Sequence, residues 1–347
     1  MNKKKILVLH ANVPFESGGA ELQVTTLVSQ LNQHGFEAEL FQLPYKWYPK
    51  HTLYDNMLLW RMTDLSAISP EKADLVIGTK FPSYGAVHPN KVVWLIHQYR
   101  QAYDLFDTPN GLSRNPDGQE IRKTVMQYDQ ASLQEARLLV TDSQNVTDRL
   151  REFNKINSEP LYHPPSLAGR YQSGEYGRYI LSVGRLDPLK RNRLLLEALA
   201  HCDKNVRAKI AGRGAEMEPL QKLAKKLGIE DQVDFLGFVP DDDLIQLYAG
   251  AFAVFFAPVD EDYGYITLEA FLSQRPVVTC SDSGGVLEFV KDGESGFVCS
   301  IQPESLAQAI QSLYDDREKC RSFGQAGFEK VKDISWDNVI KRLTVTL

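Results

Sequence analysis

The sequence contains few of the residues that mark metal-binding, disulfide-bonded or membrane-spanning proteins. Its four cysteines, Cys202, Cys280, Cys299 and Cys320, are scattered, without the paired spacing of metal ligands. The longest apolar runs, such as ILVL and FAVFFA, are far shorter than the roughly 20 residues that span a bilayer. We therefore expect a reduced protein of the cytoplasm.

The charge pattern gives no reason to expect a nucleic acid partner. The net charge is -6, and no basic stripe stands out. Three lysines precede the first apolar run, as they do in signal peptides. That run ends after four residues, however, and no small-residue cleavage site follows at the right distance. A buried first strand is predicted instead.

Short apolar segments alternate with helical patterns along the first half of the chain. In the helix predicted at QNVTDRLREFN, Val146, Leu150 and Phe153 recur at helical spacing. Such alternation is typical of a doubly wound α/β domain with a mostly parallel sheet. The strands predicted in this half are KKILVLH, FEAELFQL, ADLVIGT, KVVWLIH, ARLLVTDS and PLYHPP.

The same alternation begins again after residues 163–177, which are rich in proline, glycine and serine and which we interpret as a linker. A second parallel sheet with its own crossover helices is therefore predicted. Its strands are RYILSVGR, VRAKIAG, VDFLGF, FAVFFAP and PVVTC, and its helices run from Lys190 to about Cys202, from about Glu216 to Leu227, over DDLIQLYAGA and over 266–273.

The predicted fold is α/β, with two Rossmann-like doubly wound parallel-sheet domains that face a central cleft. The N-terminal domain is expected at 1–165 and the C-terminal domain at 166–330. The amphipathic segment 331–347 is expected to form a helix that returns to the N-terminal domain. In such folds ligands bind beyond the carboxyl ends of the strands.

Two glutamates flank a glycine in EDYGYITLE, directly after the strand FAVFFAP. Gly264 lets the backbone approach a ligand closely. The helix predicted to begin near Ile266 directs N–H groups, with roughly half a positive charge, to the same place. Glu261 alone could be an ordinary loop acid, and Glu269, predicted in the first turn, could complement the helix dipole. Together they favour a binding site suited to a pyrophosphate.

A pair of cations lies at the start of the second half. Arg185 and Lys190 are predicted at the end of a strand and the start of a helix. Two cations beside the N–H groups of a helix start make an anion site. The alternative to an anion site is that Arg185 and Lys190 are two ordinary surface cations on a loop. This alternative is less favoured, because EDYGYITLE, with its own features of an anion site, is expected at the same edge of the sheet.

The first half contributes a glycine pair and a histidine. Gly18 and Gly19 follow the first strand and open a helix, which suits a close approach to a phosphate or a sugar. A plain turn explains this pair equally well. His97 ends the strand KVVWLIH, where it could hydrogen-bond a substrate hydroxyl or serve as a satisfied loop histidine.

Three other features are not assigned to a site. The acidic run 241–243 opens a helix and is expected to cap it and complement its dipole. The segment YKWYPK is interpreted as a surface loop. Ser143 has no histidine and aspartate at triad spacing. Neither the SGG stretch nor GRGAEME has the three glycines of a dinucleotide fingerprint.

Taken together, these residues resemble glycosyltransferase family 4, the retaining nucleotide-sugar-dependent enzymes of GT-B architecture within glycosyl transferases group 1. The resemblance covers almost the whole chain and is strongest from about 179 to 300. It is looser in the first half, where SGGAE, the strand-end His97 and TDSQNVTDRL carry it. The stronger half contains YILSVGRLDPLKRNRLLLEAL, IAGRGAEMEPL, VDFLGFVPDDDLIQLYAGAFAVFFAPVDEDYGYITLEAF and RPVVTCSDSGGVLEFVKDGESGFV.

The resemblance implies roles for residues of the second half, the donor side. Arg185 and Lys190 would hold the diphosphate of the donor. Glu269 would bind the ribose hydroxyls of the nucleotide, and Glu261 the hydroxyls of the donor sugar. The start of the helix would cradle the phosphates through the backbone at Gly264, Tyr265, Ile266 and Thr267.

The base would meet the loop at Gly212 and the backbone near Val239. From the first half, the acceptor side, Gly18 and Gly19 would close on the donor, and His97 would touch the transferred sugar. The implied reaction moves a hexose from a UDP- or GDP-sugar to an acceptor hydroxyl with retention, in surface polysaccharide or glycolipid assembly. No cofactor and no metal are expected, and membrane contact would be peripheral at most, at the inner face.

Two departures from the family pattern limit the transfer of roles. Tyr263 stands where the family often has phenylalanine, and HPPSLAG replaces the usual asparagine–glycine stretch near the linker. A sugar-nucleotide epimerase, an inverting transferase and a non-catalytic sugar-nucleotide-binding protein stay open as alternatives. A Rossmann oxidoreductase is disfavoured, because neither half has a full dinucleotide fingerprint.

Overall fold

The computed structural model describes residues 3–15, 18–65, 72–109 and 111–347 and divides into two compact units. The first unit consists of Met1–Ser166 together with Ser335–Leu347, and the second is Leu167–Ile334. Within the described ranges, no helix combines the length and the apolar character that crossing a bilayer requires.

The first unit contains a six-stranded parallel sheet in the order β2-β1-β3-β4-β5-β6. Its inner strands β3 and β4 are buried along their whole length, as expected for a parallel sheet that is covered on both faces. The strands are β1 Lys5–Asn12, β2 Glu37–Pro44, β3 Leu75–Gly78, β4 Lys91–Leu95, β5 Leu138–Thr141 and β6 Glu159–Pro160, and the helices are α1 Gly19–Gln33, α2 Lys50–Met62, α3 Gly118–Gln134 and α4 Gln144–Asn154.

The second unit repeats this plan with a six-stranded parallel sheet in the order β12-β11-β10-β7-β8-β9. Its strands are β7 Tyr179–Val183, β8 Arg207–Ala211, β9 Val233–Gly237, β10 Ala253–Phe255, β11 Val277–Cys280 and β12 Gly296–Cys299. Its helices are α5 Asn192–Leu199, α6 Met217–Leu227, α7 Asp241–Gly250, α8 Tyr265–Leu272, α9 Val286–Phe289, α10 Pro303–Asp315 and α11 Arg317–Val331.

The last helix of the chain, α12 Trp336–Leu343, packs in the first unit. Its apolar residues Val339, Ile340 and Leu343 join the core that α1 forms against one face of the first sheet. Apolar residues of α2, α3 and α4 form a separate core with β4 residues on the opposite face. The first sheet is therefore covered on both faces, as in a doubly wound domain.

The prediction of two Rossmann-like doubly wound domains with parallel sheets is confirmed. Three local predictions were wrong. The helix expected to begin at Lys190 is interrupted: a 3-10 turn over Pro188–Lys190 is followed by Arg191 in a left-handed conformation, and α5 begins only after it. Strand β12 was not predicted, and the strand expected at PLYHPP is limited to Glu159–Pro160.

The order of the strands places a topological switch point in each sheet. In the first sheet, the chain passes from β1 to β2 on one side and then to β3 on the other side of β1. In the second sheet, it passes from β7 through β8 to β9 and then to β10 on the other side of β7. Open α/β sheets bind their ligands at the carboxyl ends of the strands that flank such a point.

We predict that Leu343→Ala destabilises the first unit. Leu343 is fully buried in α12, and truncating a buried leucine costs about 2–5 kcal/mol of unfolding free energy. All four tryptophans, Trp47, Trp60, Trp94 and Trp336, belong to the first unit, so denaturant unfolding followed by tryptophan fluorescence measures this unit alone. The control is Lys341→Ala on the exposed side of the same helix, and equal midpoints for the two variants would contradict the packing role of α12.

Candidate active site

The residues predicted to bind a ligand in the second unit meet at its switch point. Lys190 follows β7 and Glu261 follows β10, and these two strands are neighbours in the sheet. The ammonium group of Lys190 forms an ion pair and hydrogen bond with Oε2 of Glu261. It also lies 5.6 Å from the centre of the Phe256 ring. Both charged side chains keep part of their surface exposed, 20% for Lys190 and 24% for Glu261, so a ligand can reach them.

Arg185 lies in the turn that leads to Lys190. Oδ1 of Asp187 accepts hydrogen bonds from the backbone N–H groups of Leu189, at 2.9 Å, and of Lys190, at 3.2 Å. The other carboxylate oxygen of Asp187 accepts one from Nε of Arg185 at 3.0 Å. Asp187 therefore fixes the turn that carries both cations. The side chain of Arg185 is 65% exposed, so its guanidinium remains accessible to an anion.

Helix α8 begins at Tyr265, next to the Glu261 loop. Gly264 precedes it with a φ of 86°, and a Cβ at this position would lie 3.1 Å from both Phe256 and Val286. The positive φ therefore favours glycine here, and the packing leaves little room for a Cβ. The helix start directs the N–H groups of Tyr265 and Ile266 away from the helix body. The N–H of Thr267 donates to the Gly264 carbonyl at 3.0 Å.

Glu269 lies in the second turn of α8, because the helix begins at Tyr265; its predicted place in the first turn was wrong. A dipole-complementing role therefore does not account for it, since that effect is confined to the first turn. Its Oε2 accepts a hydrogen bond from the buried hydroxyl of Tyr248, in α7, at 2.6 Å. Burial raises the pKa of Glu269, although the hydrogen bond from Tyr248 acts in the opposite direction.

Gly212 and Val239 follow the neighbouring strands β8 and β9, so they lie at the same edge of the sheet. Gly212 has a φ of 149°, and a Cβ there would lie 1.8 Å from the carbonyl oxygen of Gly184. Its N–H donates to the Gly237 carbonyl at 2.7 Å. The glycine is thus required where the loops that follow β7 and β8 meet the last residue of β9, whether or not a ligand binds there.

Gly18, Gly19 and His97 lie at the carboxyl edge of the first sheet. Gly18 precedes α1, which begins at Gly19 directly after the loop that follows β1. Glu16 and Ser17, the two residues before Gly18, lie outside the described residues. His97 follows β4, and its Nδ1 donates to the Gln98 carbonyl at 2.9 Å. This bond assigns the proton of the neutral ring to Nδ1 and makes Nε2 the acceptor nitrogen.

A cluster that was not predicted lies at the switch point of the first sheet. Oε1 of Glu21 accepts from Lys80 Nζ at 2.7 Å and is 3.3 Å from Nε2 of His10. Nδ1 of His10 is 3.1 Å from the hydroxyl of Thr79. Burial lowers the pKa of His10, although its hydrogen bond with Glu21 acts in the opposite direction. Burial alone would raise the pKa of Glu21, but His10 and Lys80 hold it well below its usual range.

The features set aside on sequence grounds have structural roles. Oγ of Ser143 caps α4 by accepting from the Val146 N–H at 3.1 Å. The acidic run 241–243 lies in the first turn of α7, where it complements the helix dipole, but the N-cap residue of that helix makes no side-chain capping hydrogen bond.

All four cysteines are free, and burial raises the pKa of each thiol. Among the described residues, no group of three or more histidine, cysteine, aspartate or glutamate side chains could hold a metal ion.

Comparison with known proteins gives matches to glycosyltransferases. Residues 169–330 match the family model of glycosyl transferases group 1. An uncharacterized glycosyltransferase of Methanocaldococcus jannaschii is 35% identical over 170 residues, 47% of this chain and 43% of that protein. The D-inositol 3-phosphate glycosyltransferase of Corynebacterium glutamicum is 30% identical over 169 residues, 46% of this chain and 40% of that protein. The matched segments thus span less than half the length of these relatives.

Solved structures share the fold of nearly the whole chain. Sucrose-phosphate synthase from Thermosynechococcus elongatus has a TM-score of 0.79 at 16% identity, with 99% of this chain and 98% of that chain covered. The Anabaena protein HepE in complex with UDP-glucose has a TM-score of 0.72 at 19% identity, with 99% and 98% covered. WaaG, a glycosyltransferase involved in lipopolysaccharide biosynthesis, has a TM-score of 0.73 at 17% identity, with 98% and 99% covered. Similarity at these identities establishes the fold, which is of the GT-B type.

We predict that Glu269→Gln stabilises the protein, and that the gain grows between pH 4.5 and pH 8. The fold raises the pKa of Glu269 above its ordinary value of 4.5. The protonated carboxyl is therefore favoured in the folded state, and wild-type stability is lost as rising pH removes that proton. Glutamine stays neutral and can still accept from Tyr248. The check is urea unfolding at both pH values, with the exposed Glu218→Gln as the control. A gain that is equal at both pH values would contradict the raised pKa.

Proposed function

Because residues 169–330 match the family model of glycosyl transferases group 1, we propose that this protein is a retaining glycosyltransferase. It moves a hexose from a nucleoside-diphosphate sugar, with UDP- and GDP-sugars as the candidate donors, to an acceptor hydroxyl. The observation that carries the proposal is the ion pair of Lys190 and Glu261 at the switch point of the second sheet. A cation for a diphosphate and a carboxylate for sugar hydroxyls are in direct contact there, beside Arg185 and the start of α8.

Donor binding exchanges the partners of this ion pair. The diphosphate brings negative charge to Lys190 and Arg185, where it competes with Glu261 for the ammonium group. The Glu261 carboxylate is then released to accept hydrogen bonds from hydroxyls of the donor sugar. A single rearrangement thereby prepares both the phosphate site and the sugar site.

The remainder of the donor extends along the same edge of the second unit. The N–H groups at the start of α8 contribute to the phosphate site through Tyr265 and Ile266. Glu269 accepts hydrogen bonds from the ribose hydroxyls. The base lies against the loops at Gly212 and Val239.

The chemical step is a charge-separating transfer. As the bond from the anomeric carbon to the leaving diphosphate breaks, negative charge grows on the phosphate, and Lys190, Arg185 and the α8 N–H groups stabilise it. The leaving phosphate oxygen accepts the proton of the attacking acceptor hydroxyl on the same face of the sugar, which retains the anomeric configuration. No side chain is assigned as a covalent nucleophile. Cations of the chain substitute for a metal ion, so the reaction proceeds in EDTA.

The first unit contributes the acceptor side. Within this unit, the start of α1 at Gly18 and Gly19 and the acceptor nitrogen Nε2 of His97 are the groups assigned to binding a sugar. An acceptor attached to a lipid, in polysaccharide or glycolipid assembly, is consistent with similarity to WaaG, whose own role is in lipopolysaccharide biosynthesis. The complex of HepE with UDP-glucose supports a nucleotide-sugar donor.

The deciding experiment is a panel of UDP-, GDP-, ADP- and dTDP-sugars, assayed for binding and for slow hydrolysis with EDTA present. We expect one nucleotide to be selected and its sugar to be released. The anomeric configuration of the product, read by proton NMR, separates retention from inversion and from epimerisation. Binding without any turnover, even with candidate acceptors present, would favour a non-catalytic sugar-nucleotide-binding protein. Failure to bind any donor would contradict the proposal.

Arg185→Ala and Lys190→Ala are each expected to lower turnover about 100-fold, because one lost charge-stabilising donor costs roughly 3 kcal/mol in the transition state. The fold should persist, since neither side chain belongs to a hydrophobic core. The exposed Lys222→Ala on α6 is the control. Wild-type turnover in either variant would remove that residue from the phosphate site.

Peripheral membrane contact is also part of the proposal, and α2 supplies the surface for it. Leu58, Leu59 and Met62 are large apolar side chains that this helix exposes to solvent. Exposed apolar side chains of a surface helix can insert into the interface of a bilayer. The triple serine variant of these residues should bind vesicles of phosphatidylethanolamine and phosphatidylglycerol at least about tenfold more weakly. Val345→Ser, at another exposed apolar residue of the first unit, is the control. Equal sedimentation of wild type and triple variant with the vesicles would argue against α2.

A further inference from the structure

Arg191 has a backbone conformation that side chains rarely adopt. It lies between the 3-10 turn Pro188–Lys190 and α5, with a φ of 50° and a ψ of 37°. Glycine is the residue that usually occupies this left-handed region, because a Cβ is strained there. An arginine at this position therefore has to be compensated by the contacts of its side chain.

The guanidinium of Arg191 joins two loops at the carboxyl edge of the second sheet. Nε donates to the carbonyl of Ala257 at 2.7 Å, and Nη2 donates to the carbonyl of Pro258 at 2.5 Å. Nη1 and Nη2 also form a two-point contact with the carboxylate of Asp282, at 3.0 and 2.6 Å. The side chain is only 13% exposed. One planar group thus connects the segment that follows β10 with the loop that follows β11.

The same two segments hold the backbone of Glu261. The N–H of Asp260 donates to the carbonyl of Asp282 at 2.9 Å, and the N–H of Glu261 donates to the carbonyl of Ser283 at 3.3 Å. The carbonyl of Glu261 in turn accepts from the N–H of Gly285 at 2.7 Å. Glu261 is therefore attached to the loop that Arg191 binds through Asp282.

The 3-10 turn before Arg191 contacts this segment as well. The N–H of Val259 donates to the carbonyl of Leu189 at 2.8 Å. Lys190, which follows Leu189, is the residue whose ammonium group binds Glu261. Leu189, Lys190 and Arg191 therefore each contact the segment 257–261. Of these three residues, Arg191 is the one whose side chain also reaches the loop after β11.

We propose that Arg191 is a positioning residue that fixes Glu261 opposite Lys190, with Asp282 as its anchor. The functional part of this inference rests on the proposed donor site, in which that pair exchanges partners when the diphosphate binds. Arg191 holds the backbone of Glu261 in place during the exchange, so that only the carboxylate is released. It does not itself contact the donor.

Lysine cannot replace arginine in this role. The guanidinium donates to two carbonyls and both oxygens of a carboxylate from one rigid plane. A lysine ammonium is a compact point charge on a flexible stem and cannot reach all of these acceptors in one geometry. Arg191→Lys therefore preserves the charge and removes the geometry. Arg191→Gly removes both but relieves the left-handed backbone, which protects against simple failure to fold.

The first test measures hydrogen exchange of the Glu261 segment in the whole chain. The amides of Val259, Asp260 and Glu261 should exchange about tenfold faster or more in Arg191→Lys and Arg191→Gly, because local opening is no longer opposed by the guanidinium. Arg193→Lys is the matched control, since that exposed arginine pairs only loosely with Glu197, at 3.8 Å. Unchanged exchange of these three amides in both Arg191 variants would overturn the proposal.

The second test measures steady-state kinetics with the donor that the panel selects. Displacement of a reacting group by about 1 Å can cost up to roughly 100-fold in rate, so kcat of Arg191→Lys should fall about 10- to 100-fold. The donor KM should change less than about threefold, because the phosphate ligands remain. A lowered melting temperature with wild-type kcat would mean that Arg191 only stabilises the fold, and would overturn the positioning role.

A double-mutant cycle tests the anchor. Asp282→Asn preserves the backbone carbonyl that binds Asp260 and weakens the contact with Arg191. The double variant Arg191→Lys/Asp282→Asn should be no slower than Arg191→Lys alone, because both changes act on one contact. Additive losses would overturn the assignment of Asp282.

The outcomes also separate this inference from the proposed function. If the wild-type chain transfers no sugar from any donor, the proposed function fails, and the exchange measurement still decides whether Arg191 fixes the segment 259–261. If the wild type is active and both the exchange and kcat of the Arg191 variants are unchanged, the proposed function stands and the inference fails.

Discussion

The position of β7 between β8 and β10 is the constraint on which the candidate active site depends. Because every strand pair in this sheet is parallel, the loops that follow these strands all leave from the same edge. The connection after β7 leads to β8 on one side of the pair, and the connection after β10 leads to β11 on the other side. A crevice therefore remains between the beginnings of these two loops. Lys190 comes from one loop and Glu261 from the other, although 70 residues separate them in the chain. Their contact is a consequence of strand order.

Much of this arrangement could be predicted from the sequence. Apolar runs of strand length that alternate with helical spacing indicated two doubly wound sheets, and the rule that ligands bind at the carboxyl edge placed Arg185, Lys190 and Glu261 together. The glycine in EDYGYITLE predicted a backbone position that needs a positive φ, and Gly264 has one. These features are local, or follow from general rules of strand order, and therefore leave a trace in the sequence.

Other features depend on contacts that no spacing reveals. Arg191 appeared to be one more residue of a helix, because nothing in LKRNRLL indicates a left-handed break after Lys190. Its partners, two carbonyls after β10 and the carboxylate of Asp282, lie 66 to 91 residues away. The predicted start of α8 was wrong by one residue, which moves Glu269 from the first turn into the second. Strand β12 has only four residues and begins with a glycine, which weakens a strand pattern.

The cluster of His10, Glu21 and Lys80 left a signal in the sequence that was missed. Two of the predicted strands, KKILVLH and KVVWLIH, end in histidine, and only the second histidine was assigned to a site. The first ends next to the switch point, where His10 is buried and the carboxylate of Glu21 connects β1, α1 and the loop after β3. The signal available in the sequence was His10 near the end of the first strand, followed by Glu21 in the first turn of the next helix.

The packing of α12 in the first unit has a consequence for synthesis on the ribosome. Three residues of this helix belong to the apolar core of α1 and the first sheet, yet they follow the whole second unit along the chain. A nascent chain therefore contains every residue of the second unit before the first unit has its complete core. In topological terms the second unit is an insertion within the first. During translation the second unit can therefore finish folding before the first unit, although synthesis of the first unit begins earlier.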